Sequence, residues 1–271
     1  MRIAIVSDIH GNLAALEAVV ADIRHQGVDA VVNLGDSLSG PLLPLETARF
    51  LMLQDWTHLA GNHERQILEL HPGSGASDAY ARAQLTAPEL AWIATLPSAR
   101  QYNEDVFLCH GTPTSDLTGL LETADRHAGA ADIEQRLGQV DASLVACGHT
   151  HVPRSVRSAR GQLLVNPGSV GQPAYADDHP YPHAIESGSP DARYAIVERR
   201  QQQWQAQLAQ RPLRPPQHGR TGLRQRPRRL GRRADDRLCL CIKANRLSPP
   251  ADGATLLTPS CRTIRHVDHY P

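Results

Sequence analysis

Apolar residues in the first 210 positions fall into short runs that alternate with amphipathic stretches. Arg2–Val6 (RIAIV) predicts a buried strand. Leu13, Leu16, Val19, Val20 and Ile23 then recur at helical spacing, with Asn12 placed to cap the helix and Gly27 to end it. Ala30–Leu34 predicts a second strand, Leu45–Leu53 a helix and Thr57–Ala60 a third strand. A helix through Ile67 and Leu70 follows, then a loop at 72–78 (PGSGASD), then one Ala-rich helical stretch over 79–95 closed by Leu96-Pro97. Val106–Cys109 and Ser143–Cys147 predict strands on either side of a helix at Ala130–Leu137. Gln162–Val165, Tyr194–Val197 and Trp204–Leu208 read as the last strands. Repeated β-α units followed by mostly β structure predict an α/β layered fold without internal repeats.

Charge divides the chain where this pattern stops. Residues 1–210 carry 14 Arg against 24 Asp and Glu, a net of −10, whereas 211–271 carry 13 Arg and Lys243 against four Asp, a net of +10. This predicts a folded domain over 1–210 and an Arg/Pro-rich basic tail over 211–271. Three readings of the tail stand: a disordered solvated segment, an arm for a polyanion, or a stretch translated out of frame from GC-rich coding sequence. The stretch Arg224–Arg233 has no apolar period, and the tail has no Phe or Trp to stack bases. Cys239, Cys241 and Cys261 lack the paired spacing of a zinc site. Taken over all 271 residues, composition is ordinary for a globular protein, at 41% hydrophobic and 21% charged residues. No apolar run is long enough to span a bilayer, no secretory signal opens the chain, and five scattered cysteines suit a reducing compartment. The expected location is the cytoplasm, with no membrane partner.

Chemistry collects at the predicted strand ends. Asp8 and His10, Asp36, Asn62 and His63, His110, and His149 and His151 each follow a predicted strand, where α/β sheets gather their ligands. The donors Asp8, His10, Asp36, Asn62, His110, His149 and His151 exceed what one ion needs and suit two divalent ions. Mixed nitrogen and oxygen donation without thiolate favours Mn, Fe, Ni, Co or Zn over Ca or Mg. Two such ions form a clamp for phosphoryl chemistry. Cys109 and Cys147 precede metal-type histidines but lie in apolar runs and read as packing residues.

The series SDIHGN (Ser7–Asn12), LGD (Leu34–Asp36), GNHE (Gly61–Glu64), HG (His110–Gly111) and GHTH (Gly148–His151) resembles the calcineurin-like metallophosphoesterases. NPGS (Asn166–Ser169) narrows the resemblance to their small bacterial and archaeal phosphoesterase branch. The resemblance spans roughly residues 1–208 and implies a four-layer αββα sandwich of two mixed β-sheets flanked by helices. It implies one ion on Asp8, His10, Asp36 and His151, and a second on Asp36, Asn62, His110 and His149, with Asp36 bridging. A hydroxide between the ions would attack phosphorus. His63, free of metal duty, would act as general acid on the leaving alkoxide.

The implied activity is hydrolysis of phosphodiester or phosphomonoester bonds in small, possibly nucleotide, substrates. Alternatives are dinucleoside polyphosphate hydrolysis, a protein serine/threonine phosphatase-like activity, and a non-catalytic scaffold of the same fold. The protein phosphatase motif GDxVDRG departs here: Ser39 stands where an acidic residue orients the catalytic histidine, and Gly40 where an Arg grips phosphate. The acidic main segment has no basic stripe, which argues against nucleic acid. Asn166–Ser169 reads either as a plain turn or as a phosphate-facing loop with the Ser169 hydroxyl. Residues 72–78 and 172–192, with Tyr175 and His179, read as surface loops that could border the substrate mouth.

Overall fold

The computed structural model describes residues 1–123, 125–177 and 182–213. The elements in chain order are β1 (Arg2–Val6), α1 (Leu13–Ile23), β2 (Ala30–Asn33), α2 (Pro44–Met52), β3 (Thr57–His58) and α3 (Asn62–Leu68). Then come α4 (Ala76–Gln84), α5 (Ala87–Ile93), β4 (Ala99–Asn103), β5 (Val106–Cys109), α6 (Ala130–Leu137) and β6 (Leu144–Ala146). The rest are β7 (Arg154–Arg157), β8 (Leu163–Asn166), β9 (Ala174–Asp177), β10 (His183–Glu186), β11 (Ala192–Arg200) and β12 (Gln203–Arg211).

One five-stranded sheet has the order β12-β11-β1-β2-β3 and the other β4-β5-β6-β8-β7. Both are mixed. β1, β2 and β3 run parallel, as do β5, β6 and β8, while β11, β12, β4 and β7 pair antiparallel. Side-chain alternation along each strand decides the layers. Ile3 and Ile5 of β1 pack with Val106 and Leu108 of β5 and Leu144 and Ala146 of β6 in a core between the sheets. Ala4 and Val6 face the other way, onto Leu16, Val19, Val20 and Ile23 of α1. Cys109, Val145 and Leu164 likewise face out onto Ile133 and Leu137 of α6. The result is two mixed sheets flanked by helices. Burying side chains such as Leu16 and Ile23 is worth about 1.5–3 kcal/mol each.

Several boundaries differ from the sequence expectation. The helix expected over 79–95 is two helices, because Thr86 and Glu89 start a new one: the Thr86 N–H donates to Glu89 Oε2 at 3.0 Å, with a proline in its first turn. The loop expected over 72–78 ends at Gly75, and Asp78 lies in the first turn of α4. α1 ends at Ile23, and Gly27 forms a later turn at φ 61°. Strands β4, β7, β9 and β10 carried no apolar run to announce them. β4 and β7 are sheet edges, and among the described residues β9 pairs with β10 in a two-stranded sheet. The last strand reaches Arg211. The basic tail beyond Leu213, with Cys239, Cys241 and Cys261, lies outside the described residues, as does His179.

Candidate metal centre

The loops after five parallel strands, β1, β2, β3, β5 and β6, converge. Two clusters result, each with donor atoms within 4.8 Å of one another: Asp8, His10 and His151, and Asp36, His110 and His149. Asn62 joins the second, its Oδ1 lying 3.2 Å from His110 Nε2 and 3.1 Å from His149 Nδ1. His110 Nε2 is 3.1 Å from Asp36 Oδ2, and His10 Nε2 is 3.1 Å from His151 Nε2. All seven residues named from the sequence as donors therefore meet at one end of the fold.

Asp8, His10, Asp36, His149 and His151 have φ of 55°, 51°, 52°, 70° and 58°. Such left-handed backbone costs an L-residue about 1–2 kcal/mol and persists only where neighbours over-determine it. Here the loops brace one another. The Asp8, His10 and Gly11 N–H groups donate to the carbonyls of Gly35, Asp36 and Ser37, extending the β1–β2 ladder past both strands. Buried Glu64 accepts from the N–H groups of Asp36, Ser37 and Gly61, each at 2.8 Å, and so ties the loop after β2 to the start of α3. Gly61 leaves room for this, since a Cβ there would fall on the Asp36 carboxylate. Asn166 Nδ2 donates to the Gly148 carbonyl at 2.8 Å and to Thr150 Oγ1 at 3.0 Å, while Thr150 donates to Glu122.

Each histidine has one ring nitrogen committed to a backbone carbonyl. His10 Nδ1 faces Ser39 O at 2.6 Å, His151 Nδ1 faces Gln172 O at 2.7 Å and His110 Nδ1 faces Leu34 O at 2.9 Å. His149 is reversed, with Nε2 on Leu117 O at 3.0 Å. A carbonyl can only accept, so these nitrogens carry the protons. The second ring nitrogens, Nε2 of His10, His110 and His151 and Nδ1 of His149, all face the clusters. Burial and nearby His151 push His10 down to about 3; burial and nearby His110 push His149 down to about 4. Neutral imidazoles of this kind are ready ligands. Burial opposes ionisation of Asp8 and Asp36, yet adjacent histidines hold both carboxyls below the usual range. Burial would also lower His110, but the Asp36 charge raises it to about 10.

This donor set fits divalent metal ions. Both Asp8 carboxylate oxygens are buried without a hydrogen-bond partner among the described residues, an arrangement that costs free energy unless something else satisfies them. His10 Nε2 and His151 Nε2 face each other at 3.1 Å while the other nitrogen of each ring lies on a carbonyl, an arrangement that a shared cation suits.

His63 stands beside the clusters. Its ring meets His10 edge-on at a centroid distance of 5.4 Å, its N–H donates to Asp36 Oδ1 at 3.0 Å, and its Nδ1 lies 2.7 Å from Asp78 Oδ1. Burial works against protonation, but Asp36 and Asp78 raise His63 to about 9. Ser169 does not face the site. Its buried hydroxyl donates to the Asp8 carbonyl at 2.7 Å and accepts from the Gln172 N–H, so it is a brace. Tyr175, expected in a surface loop, is on β9 with its ring 4.7 Å from that of His151. Cys109 and Cys147 are buried free thiols, both pushed up by burial. Glu64, Asp78, Glu122 and Asn166 were given no such supporting roles from the sequence. Only Glu64, inside GNHE, carried a local signal, as the fourth residue of a helix-starting turn.

Residues 1–185 match the calcineurin-like phosphoesterase superfamily domain, and the chain belongs to that superfamily. A metallophosphoesterase from Sphaerobacter thermophilus is 27% identical, with a TM-score of 0.61 over 78% of this chain and 89% of that one. A hypothetical protein from Pyrococcus horikoshii shares the fold at 18% identity, with a TM-score of 0.60 over 78% of this chain and 88% of that one. An uncharacterized protein of Methanocaldococcus jannaschii is 27% identical over 195 residues, 63% of this chain and 76% of its own length. No helix among the described residues is long and apolar enough to cross a membrane.

Proposed function

We propose that the chain is a dimetal phosphoesterase that hydrolyses phosphodiester or phosphomonoester bonds of small substrates. The observation that carries this reading is the pair of clusters with the second ring nitrogen of each histidine turned inward and His63 at their side. One ion would be held by Asp8, His10 and His151, the other by Asn62, His110 and His149. Asp36, whose Oδ2 lies 3.1 Å from His110 Nε2, would be shared between them. Such ions, when bound, supply positive charge for the phosphoryl oxygens and make water acidic enough to act as a nucleophile near neutral pH.

The chain's own residues then hold and move protons. The carbonyls of Ser39, Gln172, Leu34 and Leu117 fix the ligand rings, so the donor atoms need no reorientation. His63 gives its Nε2 proton to the ester oxygen as that oxygen leaves phosphorus, a role worth typically ~10²–10⁴-fold. Ser39 and Gly40, in place of an acidic residue and an arginine, disfavour a protein phosphatase specificity. Manganese is one candidate metal, with nickel, cobalt, iron and zinc.

The test is hydrolysis of bis-p-nitrophenyl phosphate and p-nitrophenyl phosphate by EDTA-stripped protein re-supplied with each ion. Turnover that appears with metal, and vanishes in His151→Ala and His110→Ala, is expected. Equal turnover with and without metal would reject the reading.

A further inference from the structure

We propose that Asp78 is the positioning residue for His63, and that this pair assigns the site to phosphoesters of unactivated alkyl alcohols. The inference rests on the phosphoester hydrolysis proposed above. An imidazole that must protonate a leaving oxygen needs a fixed ring, with one nitrogen held from behind and the other presented to the substrate. Ser39 does not hold it: the Ser39 carbonyl is taken by His10 Nδ1, and its buried hydroxyl bonds to no side chain among the described residues. The carboxylate comes instead from α4, fifteen residues after His63, with Asp78 Oδ1 2.7 Å from His63 Nδ1.

Four features make the pair rigid. The Asp78 side chain is 5% exposed and that of His63 29% exposed, so the carboxylate sits behind the ring and the ring keeps an open side. Asp78 is in the first turn of α4, where a carboxylate stabilises the helix against its dipole. α3 and α4 are clamped by Ile67, Ala81 and Leu85, which pack with Leu38, Ala48 and Ile93. His63 is pinned from its main chain as well, through its N–H on Asp36 Oδ1. With Nδ1–H donated to Asp78, Nε2 is the nitrogen left for the substrate. As the P–O bond breaks, the ester oxygen takes the bonding pair and the Nε2 proton, while the oxygen of water forms the new bond to phosphorus and releases one proton to solvent, from which Nε2 is reprotonated. A nitrophenolate or phosphoanhydride leaving group is stable enough to depart unassisted. An alkoxide is not, and a built acid has a use only there.

The experiment compares full-length wild type with Asp78→Asn on an alkyl phosphate and on p-nitrophenyl phosphate, with metal content measured for both. The expected result is a loss of alkyl turnover of about 10²-fold and of aryl turnover no greater than about fivefold, at equal metal content. Asp78→Glu should recover part of the alkyl loss. A second readout needs no turnover: ¹⁵N shifts of the His63 ring in zinc-loaded protein should report a protonated Nδ1 in wild type and a tautomer mixture in Asp78→Asn. Equal losses on both substrates, or an unchanged ring tautomer, would overturn the proposal. If wild type hydrolyses neither ester, the proposed function fails, and the ring tautomer still decides the pairing. Should Asp78→Asn not fold, Asp78→Ser is measured in the same way.

Discussion

Glu64 tests how the site is held together. Its fully buried carboxylate accepts three backbone N–H groups from the two segments that carry Asp36 and Asn62. Glu64→Gln keeps the shape but replaces one oxygen by a donor. Placed best, the remaining oxygen serves Asp36 and Gly61, and the new NH₂ meets the Ser37 N–H. One charge-assisted bond is lost, at about 1.5–3 kcal/mol, and a buried N–H is left unsatisfied, at about 1–3 kcal/mol. Opposing this, burial and the nearby Asp36 charge raise the Glu64 carboxyl above its ordinary range, so the variant sheds a disfavoured charge. The net expectation is a loss of about 2 kcal/mol, or about 4–8 °C in Tm for a domain of this size. Thermal melts of EDTA-stripped protein measure it, with exposed Glu69→Gln as control. Metal content should fall as well, because Asp36 at φ 52° stays in its strained conformation only while braced. A Tm within about 1 °C of wild type, with full metal content, would show that Glu64 is not the brace.

Gly61→Ala should reach the same carboxylate by steric means: its Cβ collides with Asp36, so metal content should drop to one ion per chain or fewer, read by plasma emission. Gln201 and Gln202 join β11 to β12 with φ of 47° and 65°, a turn that suits Asn-Gly, and that double replacement should raise stability by about 1 kcal/mol in a denaturant melt. His58 lies 6.0 Å from Trp56 and 5.5 Å from Trp92, and burial pushes it down to about 4. Its folded value lies below its unfolded one, so the unfolded chain takes up the proton first and the stabilisation present above about pH 6.5 is lost as pH falls toward 4. Between pH 7.5 and 5.5 the gap between wild type and His58→Phe should move in favour of the variant by about 1 kcal/mol; a gap that stays constant would count against a neutral buried His58.

The central strands were legible because β1, β2, β5, β6 and β8 are short apolar runs buried on both faces. The edges were not: β4 (ARQYN) and β7 (RSVR) are stabilised by a neighbour's ladder rather than by their own burial. The meeting of the seven candidate donors was legible because each follows a strand, and strand ends of one polarity meet whatever the sequence between them. Their supports were not. Asp78 looked like loop in PGSGASD, and only the packing of α4 on α3 brings it to His63. Glu122 reaches Thr150 across 28 residues and Asn166 reaches Gly148 across 18, distances that no local pattern encodes. Ser169, open from the sequence as a phosphate contact, is occupied by the Asp8 carbonyl.

The most direct test is anomalous diffraction from crystals of the full chain grown with manganese. Two peaks are expected, one among Asp8, His10 and His151 and one among Asn62, His110 and His149, with Asp36 reaching both. A single peak, or peaks elsewhere with these side chains unmoved, would contradict the dimetal site and the phosphoesterase chemistry built on it.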